Sequence, residues 1–391
     1  MATAVINQFG STSASEPAFT AYNDLASTKV GGKVLFATDD WFAQAENLLK
    51  PEDAQFREGY YTECGKWMDG WETRRKHDEG YNWCIIQLGV PGEIEGLDID
   101  TSYFTGNFAP RCSVQAAWLD NSYKGRDGDR LGTHATSEET TEIEKLHSED
   151  WEFIVSLSEL KPGFPKSSHN YFHCSGKKKY THLRLNIYPD GGVARLRVYG
   201  QARRDWSKVS ERKIVDLLSA LNGGLCLQCS RSNGGGGRNL IQAGRGSSVE
   251  DGWVVTPLAT RPSVVQFNRD GHMHNAGSEW CVFRLGHPGI VTMVEVDTNN
   301  FKGNFPDVCR VEACFLDNSA NDLDTNIPKS KWRTLLPVTK LKAHNQHFFY
   351  QDQLEKNTGV VSHVRLTVMP DGGVSRFRIW GTKANRAIAK L

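Results

Sequence analysis

The chain repeats itself. "WCIIQLGVPGEIEGLDIDTSYFTGNFAPRCSVQAAWLD", residues 83–120, aligns without a gap on "WCVFRLGHPGIVTMVEVDTNNFKGNFPDVCRVEACFLD", residues 280–317, and 17 of the 38 positions are identical. "HLRLNIYPDGGVARLRVYG", 182–200, matches "HVRLTVMPDGGVSRFRIWG", 363–381. Trp151 and Trp332 open corresponding segments between these blocks. Ahead of them, Gly31-Gly32 and Asn47-Leu48 pair with Gly223-Gly224 and Asn239-Leu240. The order is the same in both halves, so each half is one folding unit. A period of about 180 residues far exceeds the ~20–45 of a solenoid module, so a whole domain has been duplicated.

Strand signals dominate each copy. Leu183, Leu185 and Ile187 alternate with other residue types up to Pro189-Asp190-Gly191-Gly192, a turn signal, and Val193, Leu196 and Val198 resume the pattern; this reads as a hairpin. Short alternating runs punctuated by Gly, Pro and Asn predict an all-β fold of two tandem jelly-roll sandwiches. Helical candidates are short, near Asn47–Leu49 and Ser210–Leu221. The expected organisation is a tail over 1–28, a first domain over 29–205, a linker or short helix over 206–221, a second domain over 222–385 and a tail over 386–391.

Composition narrows the function. Lys plus Arg equals Asp plus Glu at 46 each, so no basic field calls for nucleic acid or an anionic membrane. No apolar run approaches the ~20 residues that span a bilayer. The opening residues lack a basic region followed by an apolar one, so no secretory signal is expected. Nine cysteines, an odd number, fit reduced thiols. The ending Ala389-Lys390-Leu391 is similar to the Ser-Lys-Leu type of peroxisomal address; without it, a cytoplasmic location is expected. A duplicated sandwich is compatible with a homo-oligomer, although no stretch specifies a symmetry.

Features present in both halves serve the fold first. Trp71 and Trp253, Gly106-Asn107-Phe108 and Gly303-Asn304-Phe305, and Asp190 and Asp371 read as core packing and turns, with Asn107 still able to face a ligand. Arg195 and Arg197 share one strand face, as a solvated rim or as the wall of an anion pocket. Cys84/Cys281 and Cys112/Cys309 read as small buried hydrophobes. Cys226-x-x-Cys229 would put its sulfurs on opposite strand faces. His272-x-His274 and His344/His347 lack a third ligand. No metal and no cofactor is expected.

Polar equipment unique to the first half is the functional signal. "KWMDGWETRRK" carries Asp69, Glu72, Arg74 and Arg75, while its counterpart "EDGWVVTPL" keeps Asp251-Gly252-Trp253 and loses the rest. "FATDDWFAQAENLL" adds Asp39, Asp40 and Glu46, absent from "QCSRSNGGGGRNLI". Such a group can be a structural ion-pair network. It can also be a clamp in which a guanidinium grips a carboxylate while a carboxyl moves protons. On a straight strand Glu72 and Arg74 would share a face and Arg75 would point away.

These stretches, with "DIDTSYFTGNFAPR", "HNYF" and "PDGGVARLRVYG" in this order and duplicated, closely resemble the allantoicase family over residues 29 to 383. The resemblance implies two jelly-roll domains and hydrolysis of allantoate to ureidoglycolate and urea in purine breakdown. The family's second domain commonly has its own Gly-Trp-Glu-Thr motif; here Val254-Val255 follow Trp253, with Arg261-Pro262 as the motif's remnant. A site built on these groups then belongs to the first half. The expected assignment places Glu72, Asp69 and Asp40 in catalysis, and Arg74, Arg75, Asn107 and Arg195 in substrate binding. Two competitors are a non-catalytic tandem jelly-roll that binds carbohydrate on Trp67, Trp71, Tyr60 and Tyr61, and a related ureidoglycolate-processing hydrolase.

Overall fold

The computed structural model describes residues 16–120, 123–232, 236–256, 266–267, 269, 273–274, 277–316, 327–356 and 358–384. The Ala389-Lys390-Leu391 ending, Arg261-Pro262 and His272 lie outside the described residues. Among the described residues, apart from one α-helix, Ser137–Glu144, the regular structure consists of strands and 3-10 turns.

Each half is organised by one long strand, Asn82–Asp100 in the first and Glu279–Asp297 in the second. Its opening residues pair with Lys179–Tyr188 and Lys33–Ala37, and its closing residues with Arg195–Ala202 and His169–His173. The strand therefore leaves one layer of the sandwich and enters the other, as corner strands do. The crossing falls at Gly89-Val90-Pro91-Gly92, and at Gly286-His287-Pro288-Gly289 in the second copy. Glycine is required there: a Cβ on Gly89 would sit 2.3 Å from the Val30 carbonyl oxygen, and one on Gly286 1.8 Å from that of Asn222. The second copy repeats the pairing, with Val361–Met369 and Leu225–Cys229 in one layer and Arg376–Lys383 and Gln346–Tyr350 in the other.

The bent strand overturns the expected hairpin. Lys179–Tyr188 and Arg195–Ala202 do not pair with each other; they flank the long strand in different layers. The Pro189–Gly192 stretch carries the chain between layers, and Gly192-Val193 pairs with Trp71-Glu72. That pairing ties the motif to the scaffold.

The expected tail and linker both contain a missed first strand. Asn23-Asp24 pairs with Gly200 and Tyr199, and Val215-Asp216 with Gly381 and Trp380. Two residues are too few to show a period. Phe19, Tyr22 and Leu25 are buried, so residues 16–28 are part of the first domain. The expected helix over Ser210–Leu221 is replaced by that strand and a 3-10 turn, Ala220–Asn222; the candidate near Asn47 is the 3-10 turn Ala45–Leu49. The α-helix was signalled by Thr136 and Glu139, which form a full capping box.

Both halves keep a buried aliphatic core between their layers, and Trp71 and Trp253 are fully buried in it. The Trp71 indole donates to the Asp39 carbonyl and the Trp253 indole to that of Arg231, each at 2.8 Å. The halves meet through the Asn23 side-chain amide on the Gly224 carbonyl at 2.7 Å, a Lys29–Asp251 ion pair and the Trp206–His287 ring contact.

Candidate active site

Glu72 is the centre of the half-specific cluster. The two-residue pairing with Gly192 fixes its backbone, and its N–H and C=O bond to Ala43 on the other side. The carboxyl is buried, at 8 % exposure. Its Oε1 accepts from the Asn107 side-chain amide at 2.6 Å. Burial disfavours the charged form and pushes its pKa up to about 7, against the pull of Asn107 and the Lys66 ammonium. Asn107 is held in turn: its carbonyl accepts from the Gly192 N–H at 2.8 Å. In the second half Asn304 makes the same backbone bond to Gly373, but among the described residues its amide meets only the Val255 carbonyl, at 3.5 Å, because Val254 replaces the glutamate.

The other expected carboxylates are engaged elsewhere. Asp40 is fully buried and takes two bonds from the Arg126 guanidinium, which also grips Glu46. Its remaining contact is the Ala45 N–H at 2.8 Å. Burial leaves the Asp40 carboxyl above its ordinary range even beside Arg126. Asp69 Oδ2 receives Arg195 at 2.6 Å and the Gln55 N–H at 3.0 Å, while Oδ1 receives Lys50 at 3.0 Å. Burial works against that charge, but Arg195 and Lys50 overcome it and hold Asp69 below the usual carboxylate value. The second half contains the same device, Asp251 with Arg376 and Lys29. Both acids and Arg195 thus meet saturated internal partners, and the repetition of the Asp69–Arg195 pair marks it as scaffold.

The two arginines of the motif part company. Arg74 bonds Asp39 through Nε at 2.7 Å and stacks over the Trp41 ring at 4.6 Å. Arg75 is exposed and has no bonded partner among the described residues. Asp39 stood out in the acid-rich stretch without a role assigned to it, whereas nothing about a lone lysine marked Lys66. His344 and His347 accept backbone N–H bonds from Asn300 and Lys342, a turn role. Cys226 and Cys229 correct another expectation. A bulge between Cys226 and Gln228 turns both sulfurs to one side, 3.7 Å apart, with Cys281 2.7 Å from Cys229.

A repeat unit described as the allantoicase repeat matches residues 23–203 and again 215–384, nearly the whole described chain. The chain belongs to the allantoicase family. It is 41 % identical over 363 residues to a probable allantoicase of Pseudomonas fluorescens (strain SBW25), covering 93 % of this chain and 97 % of that one. A probable allantoicase of Photobacterium profundum is 40 % identical, with 94 % and 98 % covered. Among solved structures, the allantoicase of Saccharomyces cerevisiae superposes with a TM-score of 0.68 at 31 % identity, over 92 % of each chain. Within this allantoicase family member the Glu72–Asn107 pair is confined to one repeat, whereas the Asp–Arg scaffold pair occurs in both.

Proposed function

We propose that this chain hydrolyses allantoate to ureidoglycolate and urea, a step of purine breakdown, and that Glu72 moves the proton. One observation carries the reading. A buried carboxyl that titrates near neutrality stands in only one of two otherwise parallel repeats, in a chain that matches allantoicases over almost their full length. A proton carrier works best when its pKa lies near the working pH.

Allantoate has a carboxylate and a central carbon that bears two ureido groups. Water adds its oxygen to that carbon as one carbon–nitrogen bond breaks. Ionised Glu72 takes the water proton on Oε2 and delivers it to the departing nitrogen, so that neutral urea leaves and the carboxylate is restored. Asn107 holds Oε1 and orients the group. Arg75, with its guanidinium uncommitted, grips the substrate carboxylate; Arg74 is positioned by Asp39 and shapes the rim. Asp40, Asp69 and Arg195 have no part in the chemistry and hold the frame.

The test is to incubate purified protein with allantoate and follow urea and ureidoglycolate together. Equal amounts of both are expected. E72Q should lower turnover by about 100-fold or more, the range of a lost proton carrier, with its circular dichroism unchanged. R75A should chiefly raise KM. A folded E72Q that turns over like the parent would remove Glu72 from the mechanism.

A further inference from the structure

Beside the Glu72 cluster, the first half contains a cavity of about 620 Å³ lined by Asp53, Asp98, Asp100, His169 and Lys66, among others. The proposed hydrolysis makes no use of it. The second half shows what this position accommodates. There the Arg245 guanidinium is seated against Glu295 and Asp297, with Nη1 bonded to Glu295 Oε1 and 3.2 Å from Asp297 Oδ2.

The two positions correspond residue for residue. Glu295 and Asp297 lie opposite Arg378 and Arg376 in register, as Asp98 and Asp100 lie opposite Arg197 and Arg195. Arg378 takes the carbonyls of Gln242 and Gly244, and Arg197 takes those of Lys50 and Glu52. Two residues after Arg245 the Ser247 N–H caps Asp251, and two after Asp53 the Gln55 N–H caps Asp69. Asp53 therefore stands where Arg245 stands: the first half has lost the plugging guanidinium and gained a carboxylate.

The acceptors remain in place without it. Asp98 is 3 % exposed; its Oδ2 bonds His169 Nδ1 at 2.7 Å, and its Oδ1 has no partner. Asp100 Oδ1 takes the Ser102 N–H at 2.8 Å, as Asp297 Oδ1 takes that of Asn299, which leaves Oδ2 for a donor. A buried carboxylate oxygen without a hydrogen bond is costly, so a donor of matching shape gains by entering. The nearby guanidinium groups do not fill this role, because Arg195 is spent on Asp69 and backbone carbonyls and Arg197 on carbonyls and Asp24. Lys66 lies over the Phe56 ring.

We propose that this cavity binds a small cation with a planar fork of N–H donors, a guanidinium or amidinium compound, on Asp98 and Asp100. The ligand differs in charge from the anionic substrate and is a second binding activity of the chain. The fork matches carboxylate geometry as a point-charge ammonium does not, and Asp53 adds attraction where the second half has a cation.

Calorimetric titration tests it with three small probes: methylguanidine, its neutral isostere methylurea, and the point-charge cation methylammonium. Methylguanidine should bind saturably at one site, roughly tenfold or more tighter than either other probe. D98N should weaken it by a similar factor. D53R recreates the arrangement around Arg245; it should abolish binding while the protein melts no lower than the parent. Absence of saturable methylguanidine binding to the parent overturns the proposal. So does equal binding of methylurea, or undiminished binding to a folded D53R.

Discussion

Asp69 and Glu72 stand three residues apart, both buried, yet they lie on opposite sides of the ordinary carboxyl range. The difference is partnership. Asp69 has two cations within bonding distance; Glu72 has one neutral amide and a lysine that acts only through its field. If ionised Glu72 takes the proton, kcat/KM should fall tenfold per pH unit below about pH 7, and E72Q should lose that limb. The same shift affects stability. The folded state holds the Glu72 proton more tightly than the unfolded chain, so its contribution is complete below the ordinary carboxyl pKa and is lost as pH rises through about 7. That loss is on the order of 3 kcal/mol. Melting curves from pH 5 to 8 should show E72Q gaining on the parent as pH rises; parallel curves would mean that Glu72 does not titrate there.

At the scale of elements, the acid-rich stretch after Lys33–Ala37 is a clasp. Arg126 reaches from a segment some 80 residues away and closes on Asp40 and Glu46. The triad is mostly buried, so removing the guanidinium strands two carboxylates. R126M should cost about 3–5 kcal/mol in denaturant unfolding; a loss below ~1 kcal/mol would show the carboxylates finding water instead. The divergence of acids between halves was legible in the sequence, but the partner that makes Asp40 structural was not. Arg126 has no motif around it and is brought there only by the fold. The bent strand escaped notice for a related reason, since its alternation continues through the glycines that change its layer. The Cys226 bulge likewise left no mark on the spacing of its cysteines.

For the whole molecule, duplication supplies an internal control. Asp251 bonds Arg376 within its half and Lys29 across the boundary, so the second half's scaffold pair is also part of the contact between halves. D251N should lower the melting temperature of the entire chain as one calorimetric transition, with a cost of about 3–5 kcal/mol. Two resolved peaks would show the halves unfolding separately. The parallel build also separates roles. The Trp71/Trp253 and Asp69–Arg195/Asp251–Arg376 arrangements recur, whereas Glu72–Asn107 and the open Asp98–Asp100 cavity do not.

From the order of residues alone came the duplication, the all-β class, the family and the restriction of Glu-Thr-Arg-Arg to one half, because each is written in local pattern or in similarity along the chain. Which carboxylates remain unpaired was decided only in three dimensions. A charge is silenced or set free by whichever cation the fold brings within about 3 Å, and the partners here, Arg195 for Asp69 and Arg126 for Asp40, lie 126 and 86 positions away.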